Sequence, residues 1–293
     1  MPKSKQHPAR RIVIAGASGA VGSVLVRSMA QDPIELIGLT RDANKVHFPK
    51  PIQVAEVDFT SHASLRRGVA GADTLFLAQG GSPDQARNEM ALIDAAVAEG
   101  VRHIVKLSAF GPASPLYPMN LHMQIEAHLA AQPIAYTLLR PGTYTHILRL
   151  IAPYVATGRW GGAITTGRVN YIDVRDVAEV ARLALLERVE TDAKRAFHLT
   201  GPRSWSTDEL AEKLSKMTGT KVIYRVRSRQ QQREFLLDQG LPPARAELLL
   251  GLDQLFRDAG VAETTATVAE LTGHPPRPIT DWLQENLATF TSL

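Results

Sequence analysis

Three glycines spaced by three, Gly16, Gly19 and Gly22, follow the apolar run Ile12 to Ala15 in RIVIAGASGAVGSVLVRSMA, Arg11 to Ala30. Behind them Val21, Leu25, Val26 and Met29 recur at helical spacing. Strand, glycine turn and helix in that order suit a pyrophosphate. The first glycine permits the tight turn, the second lets the backbone approach the phosphates, and the third lets the helix pack closely on the strand. Backbone N–H groups around Ser18, Gly19, Ala20 and Val21, where the helix begins, are expected to hold those phosphates. No Lys-Ser/Thr pair follows Gly22, which excludes a Walker-type phosphate loop.

In a doubly wound fold the end of the second strand meets the adenosine ribose of a dinucleotide. An acid there binds the 2′-hydroxyl of NAD, whereas a base accommodates the 2′-phosphate of NADP. Ile34 to Thr40 reads as that strand, and Arg41, Asp42 and Lys45 follow it. Arg41 is suited to a bidentate phosphate contact and Lys45 to a second charge, so NADPH/NADP+ is the expected cofactor. Asp42 is an alternative partner for a ribose hydroxyl, and RDANK also reads as a solvated loop. Asp58 and Phe59 end the third strand, at the expected adenine edge. Gln79 and Gly80 end the fourth, where the backbone should pass near the cofactor, although both places also suit simple turns.

The elements that must position these residues alternate. Ile52 to Val57, Asp73 to Ala78, His103 to Leu107 and Ile134 to Leu139 read as further strands, with helical patterns between them. This implies a Rossmann-type α/β fold, a doubly wound parallel sheet with helices on both faces. The sixth strand is followed by the break Arg140-Pro141-Gly142. The pattern then loosens, apart from a helix over 174–186, a strand at Ala196 to Leu199 and a capped helix from Ser206. Lys221 to Val226 alternates as a half-buried strand would, and the remainder is mostly helical and punctuated by Gly and Pro, Gly260 among them. The expected organisation is a basic flexible tail at 1–10 and an NAD(P)-binding domain at 11–145, to which a segment around 170–200 returns. A smaller, mostly helical substrate domain takes 146–169 and 200–293.

Composition sets outer bounds. The 293 residues are 44% hydrophobic and 21% charged, as in an ordinary soluble globular protein. Four basic residues (Lys3, Lys5, Arg10, Arg11) account for the excess of 33 basic over 29 acidic side chains, so no nucleic-acid partner is expected. Cysteine is absent, which removes thiolate chemistry and fits a reducing compartment. No apolar run has the length of a membrane span, and MPKSKQHPARR has no apolar signal core. A cytoplasmic monomer or homodimer acting on a small molecule is the expectation. The histidines lack metal-ligand spacing, so no metal is expected, and no Gly-x-Ser-x-Gly elbow occurs.

The GxxGxxG spacing resembles the short-chain dehydrogenase/reductase superfamily. With LTRD, VDF, HIVKLSAFG, HMQIE, YTLLRPGTY, YIDVRDVAEVA, FHLTGP and TVAELTG, the chain from about Arg11 onward resembles its NmrA-like, or atypical, branch. That branch includes quinone reductases, isoflavone-reductase-like enzymes and dinucleotide-sensing regulators that turn nothing over. The Tyr-xxx-Lys acid of ordinary members is missing, since no lysine lies four residues after Tyr117, Tyr136, Tyr144, Tyr154, Tyr171 or Tyr224. The resemblance implies instead His122 directed at the nicotinamide ribose or the substrate, with Glu126 four residues on. That spacing puts both on one helix face, so Glu126 is expected to orient the imidazole and favour its cation, unless the two form an ordinary surface pair.

Without a phenol acid, ordinary ketones are poor acceptors, because their reduction makes a strongly basic alkoxide. Quinones, enones and imines are better ones. Ser108, ending the fifth strand, and Pro141 and Tyr144, after the sixth, lie where the acceptor and nicotinamide should sit. Asp173 is expected to cap the helix that follows it rather than act as an acid. The leading expectation is an NADPH-dependent reductase of a small aromatic or conjugated acceptor. A sensing regulator and a cyclase, dehydratase or epimerase on the same fold are the alternatives.

Overall fold

The computed structural model describes residues 10–110, 119–257 and 262–291. The basic tail up to residue 9, together with Gly111, Tyr117 and Gly260, lies outside them. In chain order the first elements are β1 (Arg10–Ala15), α1 (Ala20–Met29), β2 (Ile34–Thr40), β3 (Gln53–Glu56), α2 (His62–Val69), β4 (Thr74–Leu77), α3 (Gln85–Ala98), β5 (His103–Leu107), α4 (Met119–Ala130) and β6 (Ala135–Pro141). After β6 come β7 (Thr143–Tyr144), α5 (Ala152–Ala156), β8 (Gly161–Gly162), β9 (Val169–Ile172), α6 (Val174–Leu186), β10 (Lys194–Leu199), β11 (Ser204–Trp205), α7 (Thr207–Thr218) and β12 (Arg225–Val226). Helices α8 (Arg229–Asp238), α9 (Pro243–Arg257), α10 (Thr267–Thr272), α11 (Ile279–Glu285) and α12 (Leu287–Thr291) complete the chain.

The main sheet has the order β10-β6-β5-β4-β1-β2-β3, and β1 to β6 pair in parallel. The reversal beside β1 is the topological switch of a doubly wound fold, and it puts the β1 and β4 ends where such folds bind ligands. Ile12 to Ala15 of β1 and Leu75 to Leu77 of β4 read as unbroken apolar runs because they are buried on both faces, as central parallel strands are, whereas the equally buried β5 carries His103 and Lys106. The third strand is one residue shorter at each end than Ile52 to Val57. The sixth runs on through Arg140 and Pro141 instead of stopping before them.

The chain divides into two compact units. The first comprises Met1–Ser108, Leu121–Leu139 and Val177–Phe197, and the second Ala109–Asn120, Arg140–Asp176 and His198–Leu293. The second unit thus begins earlier than residue 146, with a first piece that runs from the residue after Ser108 into the start of α4. In the first, Val13, Leu39, Leu75, Ile104 and Leu138 share a core with Leu65, Leu92 and Leu129 of the helices. Arg182 grips Asp32 through Nε at 2.9 Å and through a second, shorter bond, so the returning segment is tied back beside α1.

The second unit is not purely helical. It contains the three-stranded sheet β11-β9-β7 and the pair β12-β8. Of the expected strand Lys221 to Val226 only Arg225 and Val226 pair, against Gly161 and Gly162. Its core is aromatic, with Phe110, Trp160, Tyr171, Trp205, Trp282 and Phe290. Among the described residues no helix is long and apolar enough to cross a membrane.

Candidate active site

The glycine turn is built by backbone contact. Gly16 has φ +82°, a left-handed conformation that favours glycine, and a Cβ there would lie 2.5 Å from the Ala78 carbonyl oxygen. A Cβ at Gly22 would stand 2.1 Å from the Gly16 oxygen, so α1 rests directly on the end of β1. Gly19 donates its N–H to the Gly16 oxygen at 2.9 Å and caps α1 without any side-chain hydrogen bond. No acidic side chain stands in the first turn, and Ser18, Gly19 and Ala20 are exposed. The first-turn N–H groups and the positive end of the helix dipole are therefore presented bare, which fits a pyrophosphate.

At the end of β2, Asp42 spends its carboxylate on the chain. One oxygen accepts from Asn44 N at 3.0 Å and the other meets Lys45 Nζ at 3.1 Å. Arg41 is exposed and, among the described residues, makes no ion pair. Past β3, Asp58 Oδ1 accepts from the Thr60 N–H at 2.8 Å and its hydroxyl at 2.7 Å, bonds that hold the carboxyl below its usual range. Phe59 packs on the core of the unit. Gln79 is half-buried, and a Cβ at Gly80 would meet nothing within 4 Å, so the chain's own packing does not require glycine there.

The end of β5 carries the polar groups. Ser108, almost fully buried, donates its hydroxyl to Glu126 Oε1 on α4. Two residues earlier Lys106 is completely enclosed; its Nζ lies 2.8 Å from Glu89 Oε2 on α3 and also donates to the Leu107 carbonyl. Gln85 Nε2 donates to the other Glu89 oxygen at 3.0 Å. His122 is half-buried, and its enclosed Nδ1 has no hydrogen-bond partner among the described residues. Burial, with Lys106's charge second, pushes its pKa down to about 3. The expectation that Glu126 favours a His122 cation is thereby corrected. The carboxylate is bound by Ser108, and burial with a nearby ammonium keeps the imidazole neutral.

Pro141 and Tyr144 belong to the second unit. Pro141 is buried, and its carbonyl accepts from Phe110 N at 2.9 Å. Tyr144 pairs with Ile172 through β7 and stacks on His146, with ring centroids 5.3 Å apart and planes 19° from parallel. Burial pushes its phenol well above the ordinary value. Asp173 caps α6 by accepting from Arg175 N at 2.8 Å, and the Arg175 guanidinium grips both of its oxygens. Asp176, fully buried, accepts from Arg277 N at 2.8 Å and is paired with its guanidinium. Neither carboxylate is left to act as an acid.

The Glu89–Lys106 pair escaped the sequence reading. The available signal was a lysine inside a strand buried on both faces, since such a charge requires a buried partner. Among the described residues no group of three or more His, Cys, Asp or Glu is placed to hold a metal.

A family described as NAD(P)H-binding matches residues 16–188, which include the glycine turn, Ser108 and His122. The chain belongs to that NAD(P)H-binding family. The NmrA-like resemblance and the Rossmann-type fold hold with it. The chain is 28% identical over 284 residues to an NAD(P)H azoreductase of Xenophilus azovorans, covering 95% of this chain and 99% of the relative. It is 28% identical over 271 residues to quinone oxidoreductase 2 of Escherichia coli, covering 90% and 94%. Among solved structures it resembles the NADPH complex of the E. coli NADPH-dependent quinone oxidoreductase QOR2, with TM-score 0.85 and 26% identity over 94% of this chain and 99% of that one. It also shares the fold of Citrobacter sp. triphenylmethane reductase, with TM-score 0.84 and 22% identity over 94% and 99%.

Proposed function

We propose that this NAD(P)H-binding protein is an NADPH-dependent oxidoreductase that transfers hydride to a small conjugated acceptor of the quinone, enone or imine type. The arrangement at the end of β5 supports the acceptor class. His122 Nδ1 is enclosed, burial pushes the imidazole pKa down, Ser108 donates to Glu126, and the chain has no tyrosine–lysine acid. Such a site offers no strong proton donor for an alkoxide, whereas a hydroquinone anion or an amine forms without one. The azoreductase and quinone reductase relatives support the same class.

The α1 N-terminus holds the pyrophosphate and Arg41 takes the 2′-phosphate, the contact that selects NADPH over NADH. Bound there, NADPH supplies the hydride. Ser108 and His122 position the acceptor by hydrogen bonds. An NADPH oxidation assay against quinones, enones and imines, with cofactor binding measured on the same samples, tests the proposal. Turnover with at least one class supports it. Tight binding without turnover would favour a dinucleotide sensor.

A further inference from the structure

Inside the second unit lies a cavity of about 120 Å³ walled by Trp160, Tyr171, Trp205, Tyr224, Phe235 and Phe256. Among the described residues that line it, Asp253 alone is charged. Its volume is of the order of the roughly 150 Å³ of an engineered apolar cavity that takes up benzene, which limits an occupant to one six-membered ring.

The polar corner of this cavity is organised around three consecutive residues after Trp160-Gly161. Ala163 donates its N–H to Asp253 Oδ2 at 2.9 Å, and Ile164 donates its N–H to the Tyr224 hydroxyl oxygen at 3.1 Å. A Cβ at Gly162 would lie 2.7 Å from that hydroxyl oxygen and 3.1 and 3.4 Å from the two Asp253 oxygens. Gly162 does not have a positive φ, so what glycine supplies here is room in which the two polar groups converge. Each accepts one backbone N–H. Among the described residues Asp253 Oδ1 then accepts no hydrogen bond, and the Tyr224 hydroxyl donates none.

The corner therefore presents one unused acceptor and one unused donor, side by side, at the edge of an aromatic wall. Burial raises the Tyr224 phenol, and the Asp253 charge raises it further, so its proton stays available for donation. Burial also raises the Asp253 carboxyl, against the Ala163 N–H bond and the charges of Arg257 and Arg229, which pull it down. A hydroxyl answers both groups at once, donating to Asp253 Oδ1 and accepting from Tyr224. An ether only accepts, and a hydrocarbon answers neither group.

We infer that this cavity is a binding site for a monocyclic phenol, its ring among Trp160, Trp205 and Phe235 and its hydroxyl between Asp253 and Tyr224. The site uses residues of the second unit alone and does not rest on the reductase reading. Its failure would leave that reading standing.

Calorimetric titration with p-cresol, 4-methylanisole and toluene tests it, with Trp160 and Trp205 fluorescence as a second readout. The wild type should bind p-cresol about tenfold or more tighter than the other two, the effect of one charge-assisted hydrogen bond. Asp253→Asn should weaken p-cresol by about tenfold and Tyr224→Phe by about fivefold, while toluene binding stays the same in both, which also shows that the cavity is intact. Absence of p-cresol binding in the wild type would overturn the inference. So would toluene binding as tight as p-cresol, or p-cresol affinity unchanged in both variants.

Discussion

The Ser108 hydroxyl donates to Glu126 Oε1, so the carboxylate one helical turn after His122 is held at the end of β5. His122 owes its low pKa to burial and to Lys106. Glu126→Gln should therefore leave the pH profile of turnover unchanged, and no imidazole limb should appear between about pH 5 and 8, since the group titrates near pH 3. Between about pH 3 and the ordinary histidine value of 6.5, the proton binds the unfolded chain only, so stability falls as pH drops through that window and is unaffected above it. Kinetic profiles and urea unfolding at several pH values, for the wild type and His122→Gln, read both. A shift of the kinetic profile in Glu126→Gln would contradict this geometry.

Arg41 should decide the cofactor. Arg41→Ala is expected to lose about 1.5 to 3 kcal/mol of NADPH affinity, as for a hydrogen bond to a charged group, and to leave NADH affinity where it was. Titration of both cofactors with both proteins measures this. Equal wild-type affinities would contradict the assignment.

Gly22 and Gly19 should fail in different ways. In Gly22→Ala the new methyl meets the Gly16 carbonyl, which is backbone and has no room to yield, so the fold should lose about 3 kcal/mol or more. Gly19 is exposed, and its Cβ would touch only the Gly16 oxygen, at 3.2 Å. Gly19→Val should therefore stay folded and lose cofactor binding. Circular dichroism and cofactor titration on the same samples distinguish the two outcomes.

Lys106 and Glu89 are both fully enclosed. Either Lys106→Met or Glu89→Leu alone strands a buried charge and should cost about 3 to 5 kcal/mol, whereas the double variant should recover most of the loss. Denaturant midpoints for the four proteins close the cycle. Additive losses would mean that the two side chains do not act as a pair.

What could be read from the chain was what the chain encodes locally. The glycine turn shows in the spacing of its own residues, and β1 and β4 announce themselves as apolar runs because both of their faces are buried. The sites depend on partners brought from elsewhere. His122 and Glu126 suggested each other by spacing, yet a serine from β5 claims the carboxylate. Lys106 takes its partner, Glu89, from α3. The aromatic cavity draws on Trp160, Tyr224 and Asp253, three segments whose meeting no local pattern reveals. Most of the alternating stretch Lys221 to Val226 forms no ladder, because only Arg225 and Val226 lie against Gly161 and Gly162.

Hydride transfer to an acceptor whose reduced form needs no strong acid is tested most directly by the steady-state rate of NADPH oxidation with a simple quinone and with a simple unconjugated ketone, for the wild type and Tyr144→Phe. The quinone should be reduced rapidly and the ketone essentially not at all, with most quinone activity retained in Tyr144→Phe. Ketone reduction at a comparable rate, abolished by Tyr144→Phe, would contradict it.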